Sequence, residues 1–328
     1  MATLVLDQSN FDLRVSGDTL ELYQEETRRG SLPIKLLERV VLQGDMSLTV
    51  GVLTRRAEEG VPIMMLSKRH SRRLALVLGP AHNNAAIRLA QSQRVFDADW
   101  CAAWARRQVL RKTRAQARLL GGALKARPDC RKPLYDASNS LEQGLARLYD
   151  YSETLRMDAI RGIEGAMARA YFQGLMALFP PSLEFTGRNR RPPRDPVNAC
   201  LSLAYTMTHF EAVRAAHAAG LDPLLGFYHR PTFGRESLAS DLIEPFRPRV
   251  DEWVWVVFRE RMLRVEHFGH DKEACLLGKA GRAIFYQGFD SFVRPLRRAL
   301  RRQCQVLAAH LKRQGEPYLM TEEDEGVL

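Results

Sequence analysis

The sequence predicts an α+β multidomain chain: a small β-rich N-terminal domain over residues 1–80, then a larger all-α C-terminal domain over residues 81–328. Two changes of pattern predict it. Through the first domain, apolar and polar side chains alternate in short runs, the period of half-buried strands. From about residue 84, Ala, Leu, Arg and Gln recur at helical spacing nearly to the C-terminus, and Gly79-Pro80 separates the two regimes. A chain of 328 residues, 45% hydrophobic and 27% charged, has material for a sizeable core.

In the first domain, Thr3-Leu-Val-Leu-Asp7 and Asp12-Leu-Arg-Val15 read as strands. Gly17-Asp18 reads as the turn of a β-hairpin returning along Thr19-Leu-Glu-Leu-Tyr23. Arg39–Leu42, Val61–Leu66 and Arg73–Leu78 are further β-like runs, with Met64 and Met65 as core residues, and Ser47–Glu59 reads as one helix packed against them. In the second domain the helices break at Pro128, Pro180-Pro181 and Pro192-Pro193. Trp253, Trp255 and Phe258 form an apolar run destined for the core, and the acidic end, Thr321–Leu328, reads as a disordered tail.

Runs such as Trp253–Phe258 are too short to span a bilayer, and Met1-Ala-Thr-Leu-Val-Leu-Asp7 lacks the basic start of a secretory signal. The expectation is a cytoplasmic protein with no membrane partner. Cys101, Cys130, Cys200, Cys275 and Cys304 contain no CxxC pair, which points to reduced thiols rather than disulfides or a zinc knuckle.

Charge says more about partners. The 49 Lys and Arg against 38 Asp and Glu leave +11, which makes a polyanion the first partner to consider. Between Cys101 and Pro133 the basic residues Arg106, Arg107, Arg111, Lys112, Arg114, Arg118, Lys125, Arg127, Arg131 and Lys132 face Asp129 alone. Arg107, Arg111, Arg114 and Arg118 recur every three or four residues, which lines them along one helix face, as tracking a row of phosphates requires. A second run, Arg188, Arg190, Arg191 and Arg194, lies on a proline-stiffened loop; a third, Arg294, Arg297, Arg298, Arg301 and Arg302, lies on a helix. A single such run is ordinarily a solvated face. Three of them, dominated by guanidinium forks that match phosphate oxygens, favour nucleic acid bound through its backbone.

The chain has no GxxxxGK[ST], no GxGxxG after a strand, no HExxH and no GxSxG, which argues against an ATP-driven motor or a serine hydrolase. What remains is a set of acids and a histidine. Glu164, in Arg161-Gly-Ile-Glu-Gly165, heads an Ala-rich helix, and its flanking glycines leave room for another group to approach; alone, it is more often a surface acid. His229 closes Gly226-Phe-Tyr-His229 in a turn after Asp222-Pro223. Ser237 reads as the N-cap of a helix carrying Asp241 and Glu244 at i and i+3, on one face. Two carboxylates and an imidazole suit Mn²⁺ or Mg²⁺, although from spacing alone a polar face meeting water is the better reading. His267 and His270, with Glu266, Asp271 and Cys275, form a weaker alternative, because Gly269 interrupts a helix there and the spacing fits no common zinc pattern. His209 and His217 read as packing or surface residues.

Three long stretches then carry a resemblance: RGIEGAMARAYF around Glu164, RNRRPPRDPVNACLSLAYTM from Arg188 to Met207, and GLDPLLGFYH with SLASDLIEPFRP between Gly220 and Pro248. In order and over nearly the whole chain, they resemble the CRISPR-associated endonuclease and integrase family, CRISPR-associated protein one, the integrase of the adaptation module. Asn84–Gln91 is similar to its interdomain helix. The resemblance implies a β-rich N-terminal domain that homodimerises, an all-α catalytic domain, and double-stranded DNA as substrate. At the matching positions, Glu164, His229 and Glu244 are implied ligands of Mg²⁺ or Mn²⁺, and Asp241 an acid beside them that supports catalysis; some relatives have Asp where Glu244 stands. The implied reaction is attack by the 3′-hydroxyl of a captured DNA fragment on a phosphodiester of the CRISPR array, with water in its place giving a nuclease. Arg188, Arg190, Arg191 and Arg194 are implied to hold phosphate, while Tyr171 and Tyr205 stack, hydrogen-bond or serve the core. A small ferredoxin-like adaptation subunit is the implied partner. A degenerate copy would be a non-catalytic DNA-binding scaffold, and a tyrosine recombinase would leave covalent protein–DNA adducts without metal.

Overall fold

The computed structural model describes residues 2–7, 9–58, 61–67, 73–80, 82–150, 156–189 and 192–319; Arg190, Arg191, Glu59 and the acidic segment Thr321–Leu328 lie outside the described residues. The chain divides into two compact units. One joins residues 1–81 to residues 276–293, and the other joins residues 82–275 to residues 294–328.

The first unit is built from β1 (Ala2–Leu6), β2 (Asp12–Ser16), β3 (Thr19–Gln24), β4 (Thr27–Pro33), β5 (Leu37–Gln43), β6 (Ser47–Leu48), α1 (Val50–Glu58), β7 (Ile63–Leu66) and β8 (Arg73–Val77). They form two four-stranded sheets, ordered β1-β5-β7-β8 and β4-β3-β2-β6. Leu13, Leu20, Ile34, Val40 and Ile63 are among the buried residues of the core. Met64 is buried and Met65 packs at its edge. The predicted hairpin is β2–β3, with Gly17 at φ 55° in its turn.

Two strands of this unit escape the sequence reading. β4 follows a turn in which Glu25 and Glu26 both adopt left-handed φ, 50° and 60°, where Gly or Asn would be the usual signal. β4 is an exposed edge carrying Arg28 and Arg29, charges that discourage edge-to-edge pairing. The helix expected over 47–59 begins only at Val50, because Ser47 and Leu48 extend to pair with Asp12 and Leu13.

Residues 276–293 close this unit with Phe285 and Phe289, stacked 5.8 Å apart and buried. They also supply Asp290 to the buried Arg39: Arg39 Nε donates to Thr3 Oγ1 at 2.8 Å, and its Nη2 lies 3.4 Å from Asp290 Oδ1. A buried guanidinium needs such partners.

The second unit carries α2 (Ala85–Phe96), α3 (Ala98–Ala126), α4 (Arg131–Tyr149), α5 (Met157–Met176), α6 (Pro196–Ala218), α7 (Ser237–Ile243) and α8 (Arg247–Arg259). A hairpin of β9 (Phe268–Asp271) and β10 (Ala274–Leu277) follows, then α9 (Lys279–Gly315). Asp97 caps α3 by accepting the Trp100 N–H at 2.9 Å, and Asp195 caps α6 with Pro196 at its first position. Apolar residues bury α6 on nearly every side, which makes it the central helix of the unit. Arg106 serves the end of α4, donating to the carbonyls of Leu148 and Asp150 at 2.6 Å each.

The C-terminal part is therefore mostly helical, as expected, with the β9–β10 hairpin as an exception to all-α. Gly269 lies within β9 and interrupts no helix. Ser237 is the first residue of α7 rather than its N-cap; Glu236 holds that position, and the Ser237 hydroxyl donates to the Arg230 carbonyl at 3.1 Å. In the third arginine run, Arg297 points inward and pairs with Glu211 at 3.0 Å. Trp255 and Phe258 are buried while Trp253 is partly exposed. Among the described residues no helix is long and apolar enough to cross a membrane, and all five cysteines are unpaired and buried.

Candidate active site

The loop before α7 is shaped by one carboxylate. Fully buried Asp241 accepts the backbone N–H groups of Phe227, Tyr228 and His229 at 2.7, 2.9 and 2.9 Å, and His229 Nδ1 at 2.7 Å. Because a carboxylate only accepts, His229 Nδ1 is the donor of this bond, which leaves Nε2 as the ring nitrogen not engaged by Asp241. Gly226 lets this loop lie against α7: a Cβ there would meet the Ser237 carbonyl carbon at 2.6 Å and the His229 oxygen at 2.9 Å. Gln91, on α2, fixes the start of the loop, donating to the carbonyls of Asp222 and Leu225 and accepting the Asp222 N–H, all within 2.9 Å.

Beside it, three elements converge. Lys112 on α3 places its ammonium 2.6 Å from Glu164 Oε1 on α5 and 2.7 Å from Glu244 Oε2, just past α7. Glu244 Oε1 receives Arg247 Nε at 2.6 Å. Burial alone would raise the Glu244 carboxyl, but the charges of Arg247 and Lys112, with a smaller share from His229, hold it well below the usual carboxylate range. Burial would likewise lower the Lys112 ammonium; Glu244 and Glu164 outweigh it and raise it. The Tyr228 hydroxyl is pushed well above its ordinary value by burial and then by Glu164 and Glu244. Both glutamates are aimed at one shared positive charge.

Asp251 sits below Arg247 and receives the hydroxyls of Tyr171, at 2.8 Å, and Tyr205. Arg247 lies 4.7 Å from the Tyr205 ring centroid and Arg188 5.5 Å from it. Both tyrosines are thus tied into the unit. So is Arg188, which donates to Asn198 Oδ1 at 2.7 Å and Ser202 Oγ at 3.1 Å. Arg194 is exposed and pairs with Glu273 at 3.1 Å.

Along α3, Arg107, Arg111, Arg114 and Arg118 are all exposed, as their spacing requires. Arg107 and Arg111 reach a cavity of about 640 Å³ between α3 and the later part of α9, shared with Arg302, Arg313, Trp100 and Gln108. No Asp or Glu lines it among the described residues. Trp100 there stacks on His310, centroids 5.3 Å apart, and Trp104 packs under Phe227 of the His229 loop at 5.2 Å.

A family model described as CRISPR associated protein Cas1 matches residues 4–291. The chain belongs to the Cas1 family. One relative, the CRISPR-associated endonuclease Cas1 1 of Thermodesulfovibrio yellowstonii, is 34% identical over 313 residues, which span 95% of this chain and 97% of the relative. Among solved structures, a casposase bound to integration product matches with a TM-score of 0.80 at 20% identity, covering 96% of this chain and 91% of that one. A chain of a Cas6-RT-Cas1–Cas2 complex matches with a TM-score of 0.79 at 23% identity, covering 95% of this chain and 35% of that one. At those identities the two structures share the Cas1 fold with this chain.

Of the residues singled out from the sequence, Glu164 and Glu244 meet at Lys112, and His229 and Asp241 form the adjoining pair. A Cβ built on Gly162 or Gly165 would meet open space, so no other part of the described chain packs against the glycines beside Glu164. Lys112, Arg247 and Gln91 were missed as site residues. Lys112 was counted only as one charge of a basic run. Arg247, three residues after Glu244, could have been flagged by its i, i+3 spacing to that acid.

Proposed function

We propose that the chain is a metal-dependent DNA endonuclease and integrase of CRISPR adaptation, joining 3′-hydroxyl ends of short DNA fragments to the CRISPR array by transesterification. The observation that carries this reading is the convergence of Glu164 and Glu244 on one cationic point, beside a histidine whose ring Asp241 fixes, in a member of the Cas1 family. Among the described residues, no three His, Cys, Asp or Glu side chains already form a cation cage. The donor set still fits one: two carboxylates and an imidazole Nε2 are hard and borderline ligands of the kind Mg²⁺ and Mn²⁺ take. Glu164, His229 and Glu244 would hold the ion, which supplies Lewis-acid activation of the nucleophile and of the phosphoryl oxygen when bound.

The chain's own residues supply the rest. Asp241 holds Nδ1 and so keeps the His229 ring aimed; Arg247 holds one Glu244 oxygen, leaving the other for the shared point. The exposed arginines of α3, with Arg302 and Arg313 across the cavity, would bind DNA through its phosphates, and the run Arg188, Arg190, Arg191 and Arg194 would add further phosphate contacts. We further infer a cytoplasmic homodimer assembled through the N-terminal unit and working with a small Cas2-type subunit, by likeness to the Cas1–Cas2 complex.

The test is strand joining of a duplex fragment to a supercoiled plasmid, with Mn²⁺ or with EDTA. Glu164→Gln and His229→Ala are expected to abolish EDTA-sensitive joining while retaining DNA binding. Undiminished joining by either variant would refute the assignment, and DNA binding by the wild type without any EDTA-sensitive joining or cleavage would identify a scaffold instead.

A further inference from the structure

The Lys112 ammonium occupies the point at which the two glutamates would meet a divalent ion. Its distances, 2.6 and 2.7 Å, are those of charge-assisted hydrogen bonds to one oxygen of each acid. The three side chains are mostly buried, at 12%, 20% and 7% exposure, so the carboxylates would repel one another strongly without a cation between them. A monovalent charge on a flexible four-carbon stem meets that need from within the chain. It also excludes an ion from the same point, since two cations cannot share the same oxygens a hydrogen-bond length apart.

Where the ammonium goes when displaced follows from its helix. Lys112 follows Arg111 on α3, turned about 100° around the helix from the exposed arginine row, and its long stem would let the ammonium swing from the glutamates toward phosphates bound along that row. Phosphate would accept from the ammonium in place of the carboxylates. We propose that Lys112 is an internal stand-in cation: it holds the Glu164–Glu244 pair before the divalent ion arrives and transfers to a DNA phosphate when the ion enters. Metal and DNA binding are then reciprocal, each strengthening the other, because both favour the state in which Lys112 has left the glutamates.

The inference rests on the metal-dependent reading, and the experiment separates their failures. Mn²⁺ binding to the full-length chain is followed by the room-temperature electron paramagnetic resonance signal of the free ion, with and without a short DNA duplex, after subtraction of ion bound by the duplex alone. For the wild type, saturating duplex is expected to tighten Mn²⁺ by about tenfold or more, within the usual range of site-to-site coupling. For Lys112→Gln, Mn²⁺ is expected to bind about tenfold tighter than to wild type without DNA, and the added effect of the duplex shrinks to about twofold or less. A wild-type affinity indifferent to DNA overturns the proposal whether or not the variant folds. So does a folded Lys112→Gln that binds Mn²⁺ no better than wild type. Binding that survives both Glu164→Gln and His229→Ala places the ion elsewhere; that result overturns the metal site itself and the proposal with it.

Discussion

Replacing Gly226 by alanine tests whether backbone spacing, rather than any side chain, sets the position of His229. The new Cβ would stand 2.6 Å from the Ser237 carbonyl carbon, 2.8 Å from Ser237 Cβ and 2.9 Å from the His229 oxygen. Two of those atoms are backbone, so relief requires the loop and the start of α7 to part by roughly 1 Å or a little more, the distance to ordinary carbon contact. Overpacking of this kind costs about 1–3 kcal/mol, or about 5 °C in melting temperature for a unit of this size. The same movement pulls the Phe227, Tyr228 and His229 N–H groups from Asp241, which ties the strain to the imidazole. A misplacement near 1 Å can cost about 100-fold in rate, so strand joining should fall by about 10- to 100-fold at temperatures where the variant remains folded. Gly165→Ala is the control: nothing lies within 4 Å of its Cβ, and a helix-interior alanine adds about 0.5–1 kcal/mol of stability. Wild-type joining by the folded Gly226→Ala variant, measured beside melts of both proteins, would refute the reasoning.

Three further outcomes are expected. Burial pushes the Asp251 carboxyl up to about 6, against the hydrogen bonds of Tyr205 and Tyr171. Between its ordinary value near 4 and about 6, the native state holds a proton that the unfolded chain has lost, so stability falls as pH rises through that window, by about 3 kcal/mol in all. Asp251→Asn should flatten this dependence in urea unfolding; parallel profiles for the two proteins would contradict it. Arg107→Ala with Arg111→Ala should lower the slope of log affinity for duplex against log salt by about one per lost phosphate contact, and an unchanged slope would remove these residues from the DNA surface. Burial pushes Cys101 and Cys275 up to about 11 and Cys304 to about 12, so the native thiols should resist Ellman's reagent near about pH 8; rapid labelling before unfolding would show otherwise.

How far the sequence was legible depended on whether the signal was local. The β2–β3 hairpin announces itself through Gly17, and the prolines at 128 and 180 follow true helix ends, while Pro192 and Pro193 lie in the loop before α6 and break no helix. β4 was hidden because two glutamates occupy its turn, and β9 because Phe268-Gly-His-Asp271 carries too little apolar alternation to read as a strand. Nothing in residues 276–293 reveals that they complete the first unit, since Asp290 reaches Arg39 across 251 positions. At the site, the long motifs place Glu164, His229, Asp241 and Glu244. They do not reveal that Asp241 organises three backbone N–H groups, nor that Lys112 differs from its basic neighbours. Its helical phase sets it off the exposed arginine row, but its partner Glu164 is 52 residues away, and nothing within α3 says that carboxylates await the ammonium there.

The assignment of residues 276–293 to the first unit has a consequence on the ribosome. The nascent N-terminal sheets emerge early, yet Phe285, Phe289 and the acid that neutralises Arg39 are synthesised only after the helical unit's first long segment. Until then the early sheets present an apolar face not yet covered by Phe285 and Phe289 and an interior guanidinium that lacks Asp290, so their final locking waits on translation of α9 rather than preceding the helices. A fragment ending near residue 80 should accordingly behave as an incomplete domain, and fusing residues 276–293 to it should restore cooperative melting.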